Sequence, residues 1–132
     1  FITRERLTAD LQKWHFYVYE INERIIGTVA LEKPSSEKGT VYRLYVLPEY
    51  QRRGVARTLM EEVERKAKQL GLKHLTLRVH FKAHWAVSFY QKIGYCKVGE
   101  IDYQRGRDHV LQKTFTLARK RAPSVELWCA GV

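Results

Sequence analysis

Between positions 54 and 70 the chain places Val55, Leu59, Val63 and Ala67 at every fourth residue, with Met60 and Leu70 widening the stripe. That period defines an amphipathic helix with one face in a core. Gly71 follows, a residue suited to the left-handed backbone that ends helices. Directly ahead lies the apolar run Val41–Leu47, closed by Pro48, which cannot continue a central strand. Only a short basic segment, Gln51-Arg52-Arg53-Gly54-Val55-Ala56-Arg57, joins strand to helix. A glycine-containing turn is therefore delivered straight into a helix N-terminus. The first-turn amides there have no intrahelical acceptor, and the helix dipole is positive. Arg52, Arg53 and Arg57 add charge, and Gly54 lets an anion approach the backbone without meeting a Cβ. A plain strand–helix connection with solvated arginines fits the same letters, so the turn alone leaves both readings open.

With 132 residues the chain makes one domain and buries about two-thirds of its unfolded surface. No apolar run reaches the length of a membrane span. Cys96 and Cys129 stand far apart, which points to free thiols in a reducing cytosol and a cytoplasmic location. The formal charge is +10; residues 118–132 contribute +2, leaving +8 on residues 1–117. Such a surface concentrates anions, whether nucleic acid or a polyphosphate.

Taken in order, Thr3–Trp14 carries Leu7, Leu11 and Trp14 at helical spacing behind Thr3 as an N-cap, predicting a short helix. Phe16–Ile21 and Ile25–Leu31 form a hairpin around Asn22–Arg24, and Val41–Leu47 extends it past the polar loop Pro34–Gly39. Pairs Glu61–Arg65, Glu62–Lys66 and Glu64–Lys68 are expected on the long helix. Leu75, Leu77 and Val79 alternate with polar residues, giving a strand parallel to Val41–Leu47 by a right-handed crossover. Ala83–Ile93 is a second helix stopped by Gly94. Tyr95–Tyr103 and His109–Phe115 close the domain as a hairpin around Gln104–Asp108. The stretch 118–132 has no clear period and reads as a loosely docked tail.

This order, with Q-R-R-G-V-A-R and A-V-S-F-Y-Q-K-I-G-Y, resembles the GNAT superfamily of N-acetyltransferases from Phe16 to Phe115. The resemblance implies an α/β (α+β) fold with a mixed, mostly antiparallel sheet, a splayed parallel strand pair and flanking helices. Family members usually begin with one more strand and helix, a segment that looks shortened or absent here. The resemblance also implies acetyl-coenzyme A as co-substrate. The backbone of Leu44, Tyr45 and Val46 matches the segment that pairs with the pantetheine arm. Gln51, Arg52, Arg53, Gly54, Val55, Ala56 and Arg57 match the pyrophosphate turn, with Ala56 where many members carry a second glycine.

Tyr90 matches the tyrosine used near the thioester sulfur, where a phenol can donate a hydrogen bond or proton; packing beside Phe89 and Tyr95 would equally explain it. Ala83 stands where an asparagine is common. Thr40 and Arg78 occupy positions where some members carry a glutamate base. Deprotonating an alkyl ammonium at neutral pH costs about 4.6 kcal/mol, so a histidine relays the proton, or water does, or the amine is less basic; His80 and His84 are the candidate histidines. Strand-end capping and helix-start exposure remain their alternatives. No metal is expected, since no third ligand accompanies these histidines. Arg78, if it faces the acceptor, favours an acidic acceptor over a polyamine.

The expected function is acetyl transfer to a primary amine of a small molecule or peptide by direct attack. The alternative is a non-catalytic coenzyme A-binding or regulatory module. A nucleic-acid partner is disfavoured because the long helix sets its bases beside glutamates. Both monomer and homodimer fit.

Overall fold

The computed structural model describes residues 2–7 and 14–115. The chain divides between Leu72 and Lys73 into two compact units. In the first, β1 (Ile2–Leu7), β2 (Trp14–Ile21), β3 (Arg24–Glu32) and β4 (Lys38–Val46) pair in sequence order, each antiparallel to the next. The helix α1 (Val55–Gln69) packs on β2, β3 and β4. In the second, β5 (His74–His80) pairs with β7 (Gly106–Thr114), and β7 with β6 (Cys96–Tyr103), again antiparallel. Helix α2 (His84–Lys92) links β5 to β6.

The N-terminal helix expected over Thr3–Trp14 fails at both ends, Trp14 opening β2, while residues 8–13 lie outside the described residues. Residues Ile2–Leu7 are a strand whose ladder with β2 runs from Ile2 opposite Glu20 to Leu7 opposite His15. A helix this short is marginal alone. A backbone edge on β2 supplies hydrogen bonds that outweigh the weak period of Leu7, Leu11 and Trp14. The tail 118–132 lies outside the described residues. Cys96 is disulfide-bonded rather than a free thiol.

The remaining elements stand where their patterns place them. The loop between β2 and β3 is Asn22–Glu23, both with positive φ (52° and 67°), the backbone a two-residue hairpin requires. The loop between β6 and β7 narrows to Gln104–Arg105, because Gly106 already pairs with Tyr103. On α1, Val55, Leu59, Met60, Val63 and Ala67 are buried, and on β5 Leu75, Leu77 and Val79 are buried while Arg78 and His80 are exposed. The charged pairs of α1 include Arg57–Glu61 and Glu62–Arg65, so Glu61 reaches back one turn instead of forward to Arg65.

Both helices end alike. In α1, Leu72 N–H bonds Ala67 C=O and Gly71 N–H bonds Lys68 C=O. In α2, Tyr95 N–H bonds Tyr90 C=O at 2.9 Å and Gly94 N–H bonds Gln91 C=O at 3.1 Å. These are paired 6→1 and 5→2 closures with a left-handed glycine, Gly71 (φ 78°) or Gly94 (φ 105°), at the bend. Such a closure brings together the side chains at its two ends. In α2 those are Tyr90 and Tyr95.

Candidate active site

The strand that feeds the basic turn is bent just before it ends. Opposite β3, the register slips so that Ala30 faces Tyr42 but Thr28 faces Tyr45. Arg43 sits in the extra position with φ 59°, and Thr28 Oγ1 donates to its carbonyl at 3.2 Å. A bulge of this kind re-aims the residues that follow it, here Leu44, Tyr45 and Val46. Leu44 is half-buried, Tyr45 is exposed and Val46 is buried.

Leu47 N–H bonds Ile26 C=O at 2.9 Å, the last tie to β3, and Pro48–Tyr50 then forms a single 3₁₀ turn. The Gln51 side-chain amide donates to Val46 C=O at 2.9 Å, stitching the turn to the strand end. Arg52 takes φ 66°, unfavourable for a residue with a Cβ, and Gly54 takes φ 85°. Arg53 lies over the Tyr50 ring at 5.6 Å.

Gly54 is the N-cap of α1 and makes no side-chain capping bond, and no acidic residue occupies the first turn. The amides of Val55, Ala56 and Arg57 therefore have neither a helix acceptor nor a capping oxygen. Nothing lies within 4 Å of where a Gly54 Cβ would point. Val55 is the anchor beneath: its Cγ1 would stand 3.1 Å from a Cβ on Gly27, as would Leu59 Cδ1. Only glycine at 27 allows α1 to sit this close to β3. The result is an open, uncapped, cationic helix start, which is built to receive an anion. Arg57 shares its charge with Glu61 at 3.7 Å, both largely exposed, which restrains the guanidinium only loosely.

In the second unit Tyr90 is buried on α2, its ring edge-on to Phe89 (5.1 Å) and to Tyr95 (5.7 Å). Burial pushes the phenol up to about 12. It stays protonated across the physiological range and is a hydrogen-bond donor by default. His80 ends β5 with Nδ1 accepting from Lys82 N–H at 3.1 Å and its ring 5.0 Å from Phe81. With Nδ1 so engaged the ring proton resides on Nε2, a geometry that suits a strand-end cap. His84 is the exposed first residue of α2.

Arg78 Nε donates to Asp108 Oδ2 at 3.1 Å, and the other oxygen, Oδ1, accepts from Tyr103 Oη at 2.8 Å. That hydrogen bond holds the Tyr103 phenol above its usual range. Asp108 answers the Arg78 charge. Sequence reasoning passed over Gly27, Asp108 and Tyr103. A lone glycine inside the Ile25–Leu31 strand was the one available signal, since it marks a close backbone approach. No group of three or more His, Cys, Asp or Glu that could hold a metal occurs among the described residues.

Within the first unit, the bulged strand and the glycine turn that follows it end in an uncapped, cationic helix start suited to an anion. Residues 2–95 match the family model for the acetyltransferase (GNAT) family, and the chain belongs to that family. Spermidine N(1)-acetyltransferase of Thermoplasma acidophilum is 34% identical over 91 residues, covering 69% of this chain and 53% of the relative. The chain thus spans about half the length of that curated relative. Among solved structures, the Thermoplasma acidophilum PaiA N-acetyltransferase in complex with coenzyme A is 27% identical with a TM-score of 0.69, over 78% of this chain and 62% of that one. A GNAT acetyltransferase from Elizabethkingia anophelis with acetyl-CoA bound shares the fold at a TM-score of 0.72 and 19% identity, over 80% of this chain and 78% of that one.

Proposed function

We propose that this chain transfers the acetyl group of acetyl-coenzyme A to a primary amine by direct attack. The observation that carries this is the uncapped, acid-free start of α1 behind Arg52 and Arg53. The amides of Gly54, Val55, Ala56 and Arg57 hold the pyrophosphate, and each charge–dipole contact at such a site contributes about 0.3–1 kcal/mol. Leu44, Tyr45 and Val46 offer backbone to the pantetheine arm. The Val46 carbonyl already accepts from Gln51, so one lone pair is left there.

In the chemical step the amine forms a bond to the acetyl carbon, the C–S bond breaks, and the thiolate leaves. Tyr90 donates to that sulfur. With the phenol near 12 and an alkyl thiol near 8.5, complete proton transfer would be uphill by about 5 kcal/mol. Tyr90 therefore acts by hydrogen-bonding the departing sulfur, and water delivers the proton. The ammonium proton leaves to solvent, His84 being the exposed relay candidate and His80 the weaker one.

The acceptor is an amine that does not need Arg78, whose charge Asp108 already neutralises in part. A polyamine, the substrate class named for the Thermoplasma acidophilum relative, comes ahead of acidic amino acids. Calorimetric titration with acetyl-coenzyme A, followed by thiol release with spermidine, acidic amino acids and peptides, tests each part. Absence of binding ends the proposal. Binding with no thiol release from any amine makes the chain a coenzyme A-binding module instead.

A further inference from the structure

Lys113 lies on β7, outside the residues matched by the family model and outside both sequence motifs. Its Nζ donates to the Ile93 carbonyl at 2.8 Å, one of the C-terminal carbonyls of α2 that the backbone closure leaves over. Its stem runs along Gly94, where a Cβ would meet Lys113 Cε at 3.0 Å and Nζ at 3.3 Å. Its ammonium stands 5.8 Å from the centre of the Tyr95 ring. Tyr95 is fully buried, bonds the Tyr90 carbonyl through its N–H, and presses its ring edge-on to that of Tyr90.

From these contacts we propose that Lys113 is a positioning residue for Tyr90: it clamps the C-terminal turn of α2 and the Tyr95 ring, fixing the phenol's place and keeping water from it. A cation at a helix C-terminus is favourable in its own right. Here the same cation also holds the ring that walls Tyr90, so one side chain serves helix end and hydrogen-bond donor together. Gly94 is required twice, for its φ of 105° and for the room it leaves the Lys113 stem. The inference rests on the role proposed for Tyr90, but its structural half is readable without activity.

The experiment is Lys113→Met, which keeps the stem and removes the ammonium, with tyrosine rings labelled for NMR and the Tyr90 signal assigned through Tyr90→Phe. Loosening the clamp lets water reach the phenol, so its titration midpoint falls from about 12 toward the ordinary 10. Simple loss of a nearby positive charge would instead raise it, so the sign separates positioning from electrostatics. Turnover drops roughly tenfold while KM for acetyl-coenzyme A stays within about twofold, the signature of a loss felt at the chemical step. Lys113→Arg restores most of both. Should K113M not fold, Lys113→Gln carries the same readouts. An unmoved or raised Tyr90 midpoint in a folded variant overturns the clamp. If Tyr90→Phe itself leaves turnover intact, the hydrogen-bonding role fails while the midpoint still judges Lys113.

Discussion

Tyr90 is a packing residue for which a chemical role is also proposed. Its burial raises the phenol to about 12, against about 10 in the unfolded chain. Below pH 10 both states keep the proton and stability does not respond to this group. Between about pH 10 and 12 the unfolded state ionises first, so the native state loses stability as pH rises, up to about 3 kcal/mol in all. Denaturant melts of the parent and of Tyr90→Phe should therefore converge toward pH 12, the variant lacking that part of the slope. In assays, Tyr90→Phe should lower turnover about a hundredfold with coenzyme A affinity retained. Gly54 supplies a contrasting case. Its Cβ direction is empty, so Gly54→Ala costs only the left-handed backbone, about 1–2 kcal/mol. Calorimetry should show coenzyme A binding weakened more than the melting point, because the strained residue relaxes by rotating the amides proposed to hold the pyrophosphate.

At the scale of elements, the β3–α1 contact decides where that helix start points. Gly27→Ala would bring a Cβ to 3.1 Å from Val55 and Leu59 side chains and 3.3 Å from the Tyr45 carbonyl. The expected destabilisation is about 1–3 kcal/mol. The pair Gly27→Ala with Val55→Ala should recover part of it, since one of the clashing atoms is gone; strictly additive losses would mean the contact is not shared. The period of α1, the alternation of β5 and the two glycine stops were legible because each is a local pattern. The first strand was not, for its structure is set by pairing with β2 and its own letters are ambiguous. The turn from Gln51 into the start of α1 could be read by motif, as a strand end delivered into a helix. Gln51's bond to Val46, Asp108 beneath Arg78 and Lys113 on the Ile93 carbonyl join residues 5, 30 and 20 positions apart. The longer two of these ties carry no trace in a window of neighbours.

For the whole molecule the governing quantity is the +10 charge. In the proposed reaction it would attract the anionic donor and repel a cationic acceptor, so the two substrates should respond to ionic strength in opposite directions. Raising salt from about 50 to about 500 mM shortens the screening length severalfold, and coenzyme A affinity should fall roughly tenfold. Over the same range the KM for spermidine should fall or hold, because screening relieves its repulsion from the basic surface. An acidic acceptor would show the reverse, both constants worsening together, with Arg78 then drawn away from Asp108. Steady-state kinetics at several salt concentrations, with each substrate varied while the other saturates, reads both slopes. Opposite slopes support a cationic amine acceptor; parallel loss of affinity would return Arg78 to the acceptor site and exclude polyamines as the preferred substrate.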